Sequence, residues 1–194
     1  MRQETIKRRT DETDISLTLN LDGEGKSDAR CGIGFFEHML SALCRFGLFD
    51  LTLTCAGDLH VDAHHTVEDV GICLGQAIGK ALGDKRGITR LGHAYVPMDE
   101  ALAFVALDIS GRPFLAFDAC FDAPMLGAMD AQLVQEFFRA VAVGAGITLH
   151  MRVLYGQNDH HKAEALYKAF GRALMDAASI DPRVKGVPST KGVL

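Results

Sequence analysis

The sequence has no CxxC pair, no long basic run and no apolar stretch approaching the ~18 residues that a membrane helix needs. Its five cysteines (Cys31, Cys44, Cys55, Cys73, Cys120) are odd in number, which argues against both a disulfide framework and a sulfur-ligated zinc site. They read as small core residues in a reducing compartment. The formal net charge is −5, and no basic stripe interleaved with aromatics is present, so nucleic acid is not the expected partner. A small anionic substrate stays open. The N-terminal MRQETIKRRTDET lacks the apolar core of a signal peptide, and a soluble, cytoplasmic protein with no membrane partner is expected. What is present suits a packed fold: 194 residues, 48% of them hydrophobic, can bury a sizeable core.

Apolar periodicity divides the chain into two similar halves. Alternation in residues 15–21 and 48–55 predicts strands, and helical spacing predicts helices over 35–46, closed by Gly47 as C-cap, and 66–83. In the second half, 101–109 and 113–121 are expected to form a hairpin around Ser110-Gly111-Arg112. A helix over 131–145, a strand over 147–155 and a helix over 161–179 follow. The halves are placed at 1–87 and 88–180, with the boundary in the loop at 83–92. Together they give two ββαβα units in an α+β architecture, with helices gathered on one face of each sheet. Residues 181–194, with two prolines, two glycines and three cationic side chains, read as a tail that needs a partner to become ordered.

The duplication carries chemistry. His64, His65 and Glu68 in DAHHTVED return ninety-six residues later as His160, His161 and Glu164 in NDHHKAEA. One HHxxE is an ordinary solvated helix start; its repetition argues for metal binding. On a helix, adjacent residues point about 100° apart, so the two histidines of a pair should serve different ions, while the glutamate shares a face with either. His38, in the first helix, and His150, in the strand before the second motif, could complete two sites of three imidazoles and one carboxylate each. Such sulfur-free N/O sites point to Mn or another divalent first-row ion before structural zinc. The HExxH order of zincins and the ExxH order of di-iron bundles are both absent.

Along nearly its whole length the chain resembles the imidazoleglycerol-phosphate dehydratases of histidine biosynthesis. The likeness rests on RRTDET (8–13), GFFEHML (34–40), GDLHVDAHHTVEDVG (57–71), GITRLG (87–92), PMDEAL (97–102), SGRP (110–113), TLHMR (148–152), HHKAEALYKAFGRAL (160–174) and PSTKGVL (188–194). It implies four helices packed between two mixed sheets, two Mn ions per active site and a 24-subunit assembly. The implied reaction converts D-erythro-imidazole-glycerol phosphate to imidazole-acetol phosphate and water through an enol. The implied metal ligands are His38, His64, His65, Glu68, His150, His160, His161 and Glu164, the residues that spacing alone selects.

The resemblance also assigns acid/base work to Glu12, with Asp99 near it, and phosphate binding to Arg90, Arg112, Ser189 and Lys191. Arginine suits bidentate phosphate contacts, lysine supplies a point charge and serine a hydroxyl donor. Residues 181–194 then form a substrate-binding tail. Glu37 stands where the family more often has Asp, a change expected to leave metal binding intact. A fused phosphatase found in some relatives does not fit within this length, so dehydration alone is expected. Two competing readings remain: another Mn-dependent enzyme, such as a hydrolase using metal-bound hydroxide, and a non-catalytic metal-binding oligomer.

Overall fold

The structure is a computed structural model that describes residues 2–192 and 194. Its first half runs β1 (Gln3–Arg9), β2 (Thr13–Asn20), β3 (Ser27–Arg30), α1 (Gly34–Gly47), β4 (Asp50–Gly57) and α2 (His64–Ala81). The second half runs β5 (Leu91–Met98), β6 (Ala101–Asp108), β7 (Phe114–Asp118), a small hairpin of β8 (Met125–Leu126) and β9 (Met129–Asp130), α3 (Leu133–Ala145), β10 (Thr148–Tyr155) and α4 (Asp159–Ala178). The two four-stranded sheets have orders β1-β2-β4-β3 and β5-β6-β10-β7. Both are mixed in the same way: β3 runs parallel to β4 and β7 parallel to β10, while the remaining pairs are antiparallel.

Alternation explains which face each sheet buries. In β2 the side chains of Ile15, Leu17 and Leu19 are buried, and in β6 those of Ala101, Ala103, Val105 and Leu107. The helices of each half cover that face, and the two helical layers meet in the middle, α2 on α3 and α1 on α4. One continuous core therefore runs through both halves. Glycines allow the close helix crossings. A Cβ on Gly75 would lie 2.6 Å from the Val141 carbonyl oxygen of α3, and one on Gly171 would collide with the Leu43 carbonyl of α1.

Four features differ from the sequence expectation. Each half places three strands of its four-stranded sheet, not two, before its first helix. The additional ones, β1 and β5, are sheet edges whose burial is sparse: in β1 only Ile6 is buried, and β5 carries Pro97, which an edge tolerates. The expected hairpin between 101–109 and 113–121 does not form. β6 instead turns back on β5 with Met98 opposite Ala101, and β7 crosses to lie parallel to β10. Gly47 is the last helical residue of α1 rather than its cap; Leu48 takes the left-handed conformation (φ 55°), and Gly47 is needed because a Cβ there would meet Phe49 and the Gly171 carbonyl. Lastly, the tail lies against its own chain: Gly87 N–H donates to Gly186 O (2.9 Å), Asp181 N–H to Gly87 O (2.9 Å), and Ile88 bridges Ile180.

Candidate active site

The second HHxxE motif opens α4. Asn158 caps that helix, its side-chain oxygen accepting from the backbone N–H of His160 (2.9 Å) and His161 (3.3 Å). One turn on, Glu164 shares a face with His160, and the packing of α1 against α4 brings His38 beside them. Glu164 Oε2 lies 3.1 Å from His160 Nε2 and 3.4 Å from His38 Nε2, and the three donors fall within 4.8 Å of one another. Burial pushes the Glu164 carboxyl up, but Lys168, 2.6 Å from Oε1, and His160 together hold it below the usual carboxylate range. Two imidazoles and an ionised carboxylate thus converge, one imidazole fewer than the set of three and one expected from spacing.

His161 and His65 face other partners. His161 Nδ1 is 2.7 Å from Glu100 Oε2, and its Nε2 is 3.6 Å from Asp99 Oδ2. In the first motif His65 Nδ1 is 2.9 Å from Asp58 Oδ2, and its Nε2 is 3.6 Å from Glu12 Oε1. These bonds raise both histidines above the ordinary imidazole range: Asp58 is the main cause for His65 and Glu100 for His161. Glu100 itself is held down to about 2, chiefly by the Asn158 backbone N–H and then by His161. Within each pair the rings stand near perpendicular, 84° for His64 with His65 and 82° for His160 with His161, so neighbours diverge as helical geometry requires. His64 Nε2 is 3.9 Å from Glu68 Oε2. Beside His64 a hollow of about 370 Å³ opens between Gly32, Ile33, Asp62 and Leu133.

The turn carrying Glu12 is anchored rather than loose. Thr10 Oγ1 accepts from the N–H of Glu12 and Thr13, and Glu12 O accepts from Asp58 N–H (3.1 Å). Thr13 Oγ1 and Arg8 Nη1 both donate, at 2.5 Å, to Oδ2 of the buried Asp69, next to Glu68 on α2. Asp99 occupies the β5–β6 turn in the left-handed conformation (φ 47°), which Asp tolerates better than most residues.

The phosphate candidates gather at another corner. Arg90 donates from Nε and Nη2 to Asp108 (2.7 and 3.0 Å) and from Nη1 to Pro188 O (2.8 Å), which places Ser189 beside it. Arg112 is exposed, with Nη2 3.7 Å from Asp108 Oδ2. Lys191 follows Ser189 in the same tail, its N–H 3.2 Å from the Ser189 hydroxyl.

His150 is not brought to the other ligands within this chain. Leu149 and Met151 point into the core, so His150 projects from the opposite, exposed face of β10, where its nearest ring is Phe114 at 6.3 Å. Glu37 turns away from the metal candidates too: its Oε1 accepts from the N–H of Cys31 (2.6 Å) and Gly32 (2.9 Å), tying that loop to α1. Cys120 is exposed, correcting the expectation that all five cysteines are core; Cys31, Cys44 and Cys73 are buried. Sequence reasoning missed Asp58, Glu100, Asp69 and Asp108, although the first three lie within quoted motifs. For Asp58 and Glu100 the signal that could have found them is the carboxylate that a ligating histidine usually keeps on its second nitrogen, whereas Asp69 and Asp108 bond Arg8 and Arg90 and leave no such local mark.

Among the described residues no helix is long and apolar enough to cross a membrane. A sequence profile of the family Imidazoleglycerol-phosphate dehydratase matches residues 31–174. The imidazoleglycerol-phosphate dehydratase of Acetivibrio thermocellus is 60% identical over 189 residues, covering 97% of each chain, and that of Ruminiclostridium cellulolyticum is 58% identical over 194 residues, covering 100% of both. The crystal structure of the Staphylococcus aureus enzyme superposes with a TM-score of 0.84 at 37% identity, covering 92% of this chain and 99% of that one. IGPD from Pyrococcus furiosus gives 0.83 at 35%, covering 97% and 100%. Identity this high, sustained from end to end on a shared architecture, leaves one assignment: the chain belongs to the imidazoleglycerol-phosphate dehydratase family, hydro-lyases of histidine biosynthesis.

Proposed function

We propose that the chain dehydrates D-erythro-imidazole-glycerol phosphate to imidazole-acetol phosphate in a reaction dependent on divalent ions, Mn first, with two ions per active site. The observation that carries this reading is the convergence of His38, His160 and Glu164. Their three donors lie within 4.8 Å, contain no sulfur and suit a first-row ion of borderline hardness. His64 with Glu68, and the Nε2 atoms of His65 and His161, offer the remaining donors. His150 of a neighbouring subunit would complete the set, since within one chain it faces away. When bound, such ions would supply Lewis-acid polarisation of the substrate's imidazole ring.

The chain's own residues would do the rest. Glu12 and Asp99 each sit 3.6 Å from Nε2 of a motif histidine, where a carboxylate can take and return a proton beside the ring-binding donors. The Thr10, Thr13 and Asp69 bonds hold Glu12 at that place. Arg90, with Nε and Nη2 on Asp108 and Nη1 on Pro188 O, would offer the second N–H of each terminal nitrogen to phosphate, assisted by Arg112, Ser189 and Lys191. The family's 24-subunit assembly and a cytoplasmic location belong to the same reading. Tyr95, Phe114 and Tyr155, each about three-fifths exposed on the second sheet, support self-association.

The test is a dehydration assay on chelator-stripped protein with imidazole-glycerol phosphate, with and without added Mn. Activity should return with Mn; none, with metal bound and the assembly intact, would overturn the proposal. Glu12→Gln should keep metal and assembly while lowering kcat about 10²–10⁴-fold. Wild-type turnover in that variant would remove Glu12 from the chemistry.

A further inference from the structure

We infer that Asp58 and Glu100 are positioning residues that fix the tautomer and direction of His65 and His161, leaving Nε2 of each ring as the free donor toward a divalent ion. The inference rests on the metal reading above and deepens it. A neutral imidazole carries hydrogen on one nitrogen and a lone pair on the other. An ionised carboxylate only accepts, so a ring bonded through Nδ1 to a carboxylate must hold its hydrogen there and present its lone pair at Nε2. Both rings show this contact, at 2.9 Å for His65 with Asp58 and 2.7 Å for His161 with Glu100.

The two carboxylates reach their rings from different parts of the fold. Asp58 comes from the loop between β4 and α2, and Glu100 from the β5–β6 turn. Internal duplication does not account for the match, because the residue ninety-six positions after Asp58 is Leu154. The same bond has been supplied twice, from unrelated positions, to corresponding histidines. Each carboxylate is itself held. Glu100 Oε1 accepts from the N–H of Gln157 (3.1 Å) and Asn158 (2.7 Å), which leaves Oε2 for the ring. Asp58 is pinned through its backbone, N–H to Glu12 O and O from Val61 N–H. Among the described residues the first histidine of each pair has no such Nδ1 carboxylate; His64 and His160 meet their glutamates through Nε2.

Asp58→Asn and Glu100→Gln are informative because the new amide NH₂ can donate to Nδ1, which favours the opposite tautomer and blocks Nε2. Gln at position 100 still offers one oxygen to the Gln157 and Asn158 N–H groups, so the start of α4 keeps its tie. Mn is titrated into metal-free wild type and variants, with free aqua-Mn followed by electron paramagnetic resonance and thermal unfolding measured on the metal-free forms. Each variant should bind Mn about 10–100-fold more weakly at unchanged metal-free stability. Asp58→Glu and Glu100→Asp should recover part of the affinity. Wild-type affinity in both amide variants would overturn the inference alone, as would weakening matched by loss of metal-free stability. Failure of the wild type to bind Mn would overturn the metal reading beneath it.

Discussion

Cys31 and Cys44 have thiols that burial pushes up to about 12, and burial raises Cys55 and Cys73 to about 11. The reactive species of a thiol is its thiolate, so these four should be inert at neutral pH. Cys120 alone of the five is exposed. Native protein treated with a maleimide at pH 7 should therefore take up no more than one label per chain, located by peptide mass mapping at Cys120. A label on Cys31 or Cys44 in folded protein would contradict the burial described. At this scale the sequence is informative about type and silent about surroundings. It marks His64, His65, Glu68 and their repeats by spacing, yet it cannot say that His65 rests on Asp58 or that Arg90 is held by Asp108. Those pairings depend on where loops return after intervening strands and helices.

The crossing of α2 on α3 sets two physical effects against each other. Alanine is favoured over glycine inside a helix by about 1 kcal/mol. At Gly75, however, a Cβ would sit 2.6 Å from Val141 O, 2.9 Å from Gly144 Cα and 3.0 Å from Ala145 N, all backbone atoms that cannot rotate away. Overpacking typically costs about 1–3 kcal/mol, so the steric cost should win and Gly75→Ala should lower the urea midpoint. Gly79 serves as the control: its nearest neighbours are 3.6 Å away, and Gly79→Ala should be neutral or stabilising. Equal effects at the two positions would refute the close-approach account. The same element scale shows what apolar patterning can and cannot find. Strands β2, β4, β6 and β10 alternate because one face is buried, whereas edge strands β1 and β5 bury little on either face and look like loops in the sequence.

For the whole molecule, the outward direction of His150 has the largest consequence. If His150 completes metal sites made mainly by another subunit, the ions are part of the glue between chains. Removing metal with a chelator should then shift the protein to smaller particles in size-exclusion chromatography with light scattering, and adding Mn should reverse the shift. An unchanged particle after complete metal removal would show that subunit contacts stand without the ions. The exposed aromatics on the second sheet are where contacts surviving chelation would be sought.

The sequence by itself determined the duplication, the four helices, the interior strands and the metal-ligand candidates, because burial periodicity and a repeated HHxxE are local properties of the chain. Only the tertiary structure decided that β6 pairs with β5 rather than with β7, that the tail lies on the 87–90 loop, and that His38 joins His160 and Glu164 while His150 faces outward. The physical reason is common to all of these. Strand partners and side-chain neighbours separated by tens of residues are chosen by how the sheets and helical layers bury their apolar faces, and that choice leaves no mark in the local spacing of residues.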